Sequence, residues 1–328
     1  MSEVILPFKI QDVTSYCSNA SICAIARNTS DSEEWLANNF IQFHYETEYD
    51  VFHYMGTHIL QKFCPFIQHE QLDRDLINSI WYGDIISMFE FMLSSNRYIY
   101  CYVDLYHINV QNKYWYDTPP VYHEIFIYGY NTDRSIFYCA NNVMDGQYQT
   151  FFVRYEDMEK AYWVVPDAYW HTHIELYTYK PLGDDYLRIN PQMIYNSMED
   201  YLNSEYPTLF AFHRTFYTGI SSLKYELNRI GELPKLDRRC YHLFYEHKSL
   251  MIKRINTLRK CGLIRNSSLH IQNYKTLAKL YYQLRGMVLK YNMTSEYAIL
   301  LRIKSLFSTL IDMDIKAMES ICQDVIRP

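Results

Sequence analysis

The chain has 328 residues, 49% of them hydrophobic, with eight cysteines and a net charge of −6, which suits two domains that each bury a core. No basic, apolar, small-residue leader opens it and no run of ~18 apolar residues interrupts it, so a cytoplasmic chain without a membrane span is expected. The cysteines are scattered without a C-x-x-C pair, which removes zinc-finger spacings and reads as reduced thiols rather than a disulfide frame.

In chain order, the small residues Ala20, Ile22, Cys23, Ala24 and Ala26 predict a buried helix, with Ser15 or Ser18 as its cap. Cys17 then stands at a helix start, where free amides and the helix dipole favour a thiolate. Residues 31–75 are aromatic without a clean period and read as short strands and turns. Gly83-Asp84 opens a helix through Leu93, and a strand follows from Tyr98 to Tyr106.

After Pro119-Pro120, the run Tyr122 to Tyr130 reads as a buried strand with His123 at its mouth. Residues 131–134 make a turn, and Ser135 to Ala140 forms the second strand of a hairpin ending at Asn141-Asn142. Strands near Thr150–Tyr155 and Ile174–Tyr179 complete the sheet pattern, with a short helix from Glu156.

From about Pro191 the spacing becomes helical, with helices near 192–204, 209–230, 238–261, 270–292 and 295–322. Charge changes at the same place. Met1 to Tyr186 holds 10 Lys and Arg against 25 Asp and Glu, whereas Leu187 onward holds 21 against 12. The expected architecture is α+β: a catalytic domain over 1–185, papain-like, followed by a basic all-α helical domain over 186–328. No recognition motif of interleaved aromatics and arginines is present, so nucleic acid is not an expected partner.

A cysteine at a helix start, a later histidine entering a strand and an Asn at the end of the next strand follow the papain-type order. Cys17 is then the nucleophile, His123 the base and Asn141 the residue that accepts from the imidazole N–H. Gln11, six residues before Cys17, is the candidate oxyanion donor together with the Cys17 backbone N–H. Asp133 or Asp145 replaces Asn141 if the register differs. His171 and His173 share a strand face without an evident third ligand, so no metal site is expected. Glu246-His247 lacks the second histidine of a zincin.

The chain also resembles the BtrH family, named after an acyltransferase of butirosin biosynthesis. The resemblance rests on Tyr-Cys-Ser-Asn-Ala-Ser at 16–21, Val-Asp-Leu-Tyr at 103–106, His-Glu-Ile-Phe-Ile-Tyr-Gly-Tyr at 123–130 and Phe-Tyr-Cys-Ala-Asn-Asn at 137–142. Weaker echoes lie at Tyr217-Thr218-Gly219-Ile220 and Tyr245-Glu246-His247-Lys248. Asn141 stands where many relatives carry Asp, and Asp104 matches a family position as either a substrate-amine contact or a structural acceptor.

The resemblance implies a papain-like acyltransferase of natural-product biosynthesis. It would move an acyl group from a carrier-protein thioester, through Cys17, to a small-molecule amine, forming an amide or ester. No cofactor is implied beyond the phosphopantetheine arm that an acyl or peptidyl carrier protein brings. The basic half is a candidate carrier dock through Arg238, Arg239, Lys253 and Arg254. The alternatives are a cysteine peptidase or amidase with the same site, and a catalytically silent binding or scaffold protein.

Overall fold

A computed structural model describes residues 2–26, 30–56, 60, 62–110, 120–144, 146–167, 172–183, 188–205 and 216–326. The protein is mixed α+β and separates into two units. Unit 1 comprises Met1–Thr29 and His58–Gly183; unit 2 comprises Ser30–Thr57 and Asp184–Pro328. No helix among the described residues is long and apolar enough to cross a membrane.

Unit 1 is built on a seven-stranded antiparallel sheet. Its elements run β1 (Glu3–Ile5), α1 (Cys17–Ala26), then, after the segment that belongs to unit 2, β4 (Ile67–Leu72), α3 (Arg74–Ile80), α4 (Ile85–Ser94) and β5 (Tyr98–Asp104). They continue with β6 (Tyr122–Asn131), β7 (Ile136–Asn141), β8 (Gln149–Arg154), α5 (Tyr155–Trp163) and β9 (Ile174–Tyr179). The strand order is β4-β9-β5-β6-β7-β8, and β1 pairs with the far end of β6.

The central strands β5 and β6 carry Tyr, Ile, Val and Phe on both faces because helices cover both. On one face Phe8 stacks on Phe126 and Tyr128, with ring centroids 5.5 and 4.5 Å apart, and Tyr98 stacks on Phe126 at 5.7 Å. On the other, Phe89 of α4 meets Phe137 at 5.8 Å and Tyr162 of α5 at 5.9 Å. A register shift between Ile127 and Gly129 bulges β6, and a Cβ at Gly129 would stand 2.4 Å from the Val4 carbonyl. Glycine at that position lets β1 lie against β6.

Unit 2 contains α2 (Ser30–Asn38), β2 (Phe43–Glu46), β3 (Val51–Tyr54), α6 (Pro191–Asn203), β10 (Phe216–Thr218) and α7 (Gly219–Arg229). Three long helices follow: α8 (Arg238–Lys260), α9 (Ser267–Thr294) and α10 (Tyr297–Asp324). The expectation of an all-α second domain is therefore corrected. β2, β3 and β10 form a three-stranded antiparallel sheet, with Tyr217 opposite Tyr45 and Tyr45 opposite Phe52. Residues 30–57 join the helical unit because Phe43, Phe52 and Tyr54 bury there, Phe43 against Tyr201, Phe244 and His247. A single cut near residue 185 does not describe this division.

A fully buried polar network crosses the helices of unit 2. Lys248 Nζ pairs with Asp314, donates to Tyr201 at 3.2 Å and lies 2.8 Å from His247 Nδ1. His247 Nε2 in turn faces the Ile41 carbonyl at 2.8 Å. Arg254, expected on a docking surface, is only 1% exposed. It donates to the carbonyls of Leu36, Ala37 and Asn39, closing the C-terminal end of α2, so it is removed from the proposed surface.

Candidate active site

Cys17 is the first residue of α1 and is buried against the sheet. Its Sγ lies 3.8 Å from Ser21 Oγ and 4.0 Å from the Ala140 carbonyl. Ser21 Oγ donates to the Cys17 carbonyl at 2.6 Å and meets the Tyr148 hydroxyl at 2.8 Å, which anchors the first turn. The expected thiolate is not what this environment favours. Burial, and next the charge of Glu124, hold the thiol well above its usual range, against the opposing effect of Ser21.

Strand register locates the groups around it. β5 and β6 pair with Tyr102 opposite Glu124, Val103 opposite His123 and Tyr100 opposite Phe126. β9 places Glu175 opposite Tyr100, and β7 places Ala140 opposite Phe126. One row thus runs Glu175–Tyr100–Phe126–Ala140 across four strands, on the face that carries Phe8. Successive residues of a strand alternate between faces. Glu124 shares the Phe126 face, and its charge acts on both Cys17 and Tyr100. His123 starts from the opposite face.

The structure brings His123 and Asn141 onto one atom. His123 Nδ1 lies 3.2 Å from the Glu124 carbonyl oxygen and 3.1 Å from Glu124 Oε2, while Asn141 Nδ2 donates to the same carbonyl. Asn141 is fully buried and its Oδ1 has no hydrogen-bond partner among the described residues. No hydrogen bond joins His123 to Cys17 or to Asn141 among the described residues. Glu124, next to His123 in the sequence, is the residue that sequence reasoning missed: its carboxylate contacts the imidazole and its charge acts on Cys17. The only signal was a carboxylate following the histidine in a strand whose outer face would normally be apolar.

The remaining candidates resolve differently. Asp133 is exposed at the tip of the β6–β7 turn, ten residues from His123 and roughly 25 Å away along the strand, so it does not orient that ring. Asp145 and His171 lie outside the described residues. Gln11 Nε2 donates to the Lys9 carbonyl at 3.0 Å, which uses one of its two amide hydrogens.

Asp104 is 3% exposed and uses Oδ1 to accept from the N–H groups of Tyr106 at 3.0 Å and Val121 at 2.8 Å. That is the structural alternative of the two anticipated for it: it ties the turn after β5 to the entrance of β6.

Burial holds the hydroxyls of Tyr100, Tyr148 and Tyr177 well above their usual range, and a charge on Cys17 would act on each in the same direction. The Tyr148 hydroxyl meets Ser21, and the Tyr177 hydroxyl donates to Glu175. The Tyr100 hydroxyl makes no hydrogen bond among the described residues. Glu175 is the second carboxylate of this face. Burial opposes its charge, but His173 at 3.1 Å, His69 at 3.5 Å and Tyr177 together hold it well below the usual carboxylate range. Among the described residues no group of three His, Cys, Asp or Glu is arranged to hold a metal ion. No family model matches the chain, and no curated protein matches it.

Proposed function

We propose that the protein is a papain-like, cysteine-dependent acyltransferase that forms an amide or ester from a thioester-bound acyl group. One observation carries this reading: Cys17 opens a helix packed on the sheet, and His123 and Asn141 converge on the backbone of the residue whose charge reaches it. In the reaction the Cys17 proton passes to His123, and the thiolate attacks the thioester carbonyl. The tetrahedral intermediate collapses with the C–S bond to the donor breaking, and His123 returns the proton to the leaving thiol. An amine then attacks the acyl-enzyme, His123 takes its proton, and Cys17 leaves as thiol once that proton is returned. A thioester is already activated, so no nucleotide is consumed. The donor is an acyl or peptidyl carrier protein with its phosphopantetheine arm, and the acceptor is a small-molecule amine.

With Gln11 donating to Lys9, the Tyr100 hydroxyl, which has no hydrogen bond among the described residues, is a second candidate for the oxyanion donor. Chemistry requires the His123 ring to leave Glu124 and reach Cys17. The neutral, buried thiol favours a second reading, a catalytically silent binding protein. Turnover separates them. Wild-type protein is mixed with an acyl N-acetylcysteamine thioester and an amine, and released thiol and products are followed. The acyltransferase reading expects amide product from the wild type and background rates from both Cys17→Ala and His123→Ala. Free acid alone, despite the amine, points to a hydrolase; background rates with the wild type point to the silent protein.

A further inference from the structure

The helical unit carries a charge pattern that the Cys17 chemistry does not use. From Arg238 to Thr294, the span of α8 and α9, there are twelve Lys and Arg residues against a single acid, Glu246. That acid is buried and paired with His242 at 3.2 Å; of the twelve cations, Lys248 and Arg254 are buried and Arg239 and Lys260 pair with Asp237 and Glu33, which leaves eight others. α9 contains no acid at all. Solvated helices usually alternate charge at one-turn spacing, because Glu–Lys pairs at i, i+4 add stability and like charges subtract it. Here Lys275 and Lys279 stand one turn apart, both exposed, with no ion pair among the described residues.

These lysines edge a groove. Tyr245, Ser249 and Ile252 of α8 form one wall at i, i+4, i+7 spacing, and Lys275, Ala278, Lys279 and Tyr282 of α9 form the other, bordering a shallow, open depression of about 380 Å³. The walls meet where the Tyr245 and Tyr282 rings approach to 5.4 Å. Tyr282 remains 57% exposed, and Arg285 lies 5.9 Å from its ring. Two like charges held beside an aromatic trough weaken their own helix surface, and an anionic occupant with apolar side chains would relieve that.

We propose that the α8–α9 groove docks an acidic protein segment, with carboxylates on Lys275 and Lys279 and an apolar side chain laid over the paired Tyr245 and Tyr282 rings. A protein fits better than nucleic acid. The chain is −6 overall, and the 186 residues from Met1 to Tyr186 carry −15, which opposes a long uniform polyanion. Two lysines one turn apart also match a short acidic stretch rather than a phosphate track. The surface differs from the one around Arg238 and Arg254, and it stands whether or not Cys17 is catalytic.

The test uses the full chain and a fluorescent 16-residue peptide with Glu and Asp on one helical face and Leu and Phe on the other. Binding is read by anisotropy across a salt series. Wild type is expected to bind with a steep salt dependence. Lys275→Glu with Lys279→Glu weakens binding at least ten-fold, Tyr282→Ala weakens it several-fold, and Arg154→Glu in unit 1 leaves it unchanged. Circular dichroism confirms that each variant retains its helices. Equal binding by the double variant overturns the proposal. So does tighter binding of a DNA duplex of equal charge than of the peptide. A wild-type dimer that the double variant loses in sedimentation also overturns it, since the occupant is then a second copy.

Discussion

At the scale of single residues, the account turns on Glu124. Its carboxylate contacts the His123 imidazole, and its charge opposes ionisation of the Cys17 thiol. Removing the charge lowers the Cys17 pKa, so at a fixed pH below that value more thiolate is present. Glu124→Gln is therefore expected to speed alkylation of Cys17 by iodoacetamide several-fold at pH 8, read by peptide mass spectrometry against the exposed Cys261 as internal reference. A slower or unchanged rate shows that Glu124 does not govern the thiol. Tyr100→Phe should leave alkylation unaltered while slowing thioester turnover by on the order of 10²-fold, the loss seen when one oxyanion donor is removed. Turnover at the wild-type rate removes Tyr100 from the mechanism.

At the scale of elements, much was legible. The strand Ile174–Tyr179, the helix from Ile85 and the long helices α8 and α10 fall within a few residues of where spacing placed them. Their signals are local: Asp84 caps Ser87 N–H at 2.6 Å, and the apolar stripes of the long helices repeat over six or seven turns. In the segment 30–57 the short strands β2 and β3 fit the expectation of short strands and turns, but α2 and the place of the segment in the helical unit were not legible, because β2 also pairs with β10, some 170 residues later, and no local period encodes such pairing. Site residues divided in the same way. The position of Cys17 at a helix start was readable from small residues around it. The turning of Gln11 to Lys9 depends on backbone geometry that no pattern records. Gly129 shows how a motif residue acts through an element. An added Cβ would meet the Val4 carbonyl at 2.4 Å and the Ile5 Cα at 3.0 Å. Gly129→Ala should displace β1 and cost about 1–3 kcal/mol, seen as a lower urea midpoint with faster amide exchange at Val4 and Ile5. Unchanged stability would mean that β1 shifts freely.

For the whole molecule, stability depends on groups buried inside the helical unit as well as on its apolar core. Glu226 is 5% exposed; burial pushes its carboxyl up to about 7, partly offset by the Tyr241 hydroxyl that donates to it at 3.0 Å. In the unfolded chain it titrates near 4.5. Between those values the folded state binds more protons, so stability falls as pH rises from about 4.5 to 7. The loss is roughly 3 kcal/mol by pH 8. Glu226→Gln keeps an acceptor for Tyr241 and should remove this fall, making the variant more stable than wild type at pH 8 and similar at pH 4.5. Urea unfolding at the two pH values measures it, and parallel pH dependence in both proteins would show that Glu226 is ionised in the fold.

Intact-mass spectrometry after brief mixing with an acyl-carrier thioester tests whether Cys17 is the nucleophile. The account predicts a mass increase equal to one acyl group, mapped to the peptide containing Cys17, absent from Cys17→Ala and discharged by an added amine. A correctly folded wild type that gains no acyl mass from a panel of donors, or gains it on another residue, would contradict the account.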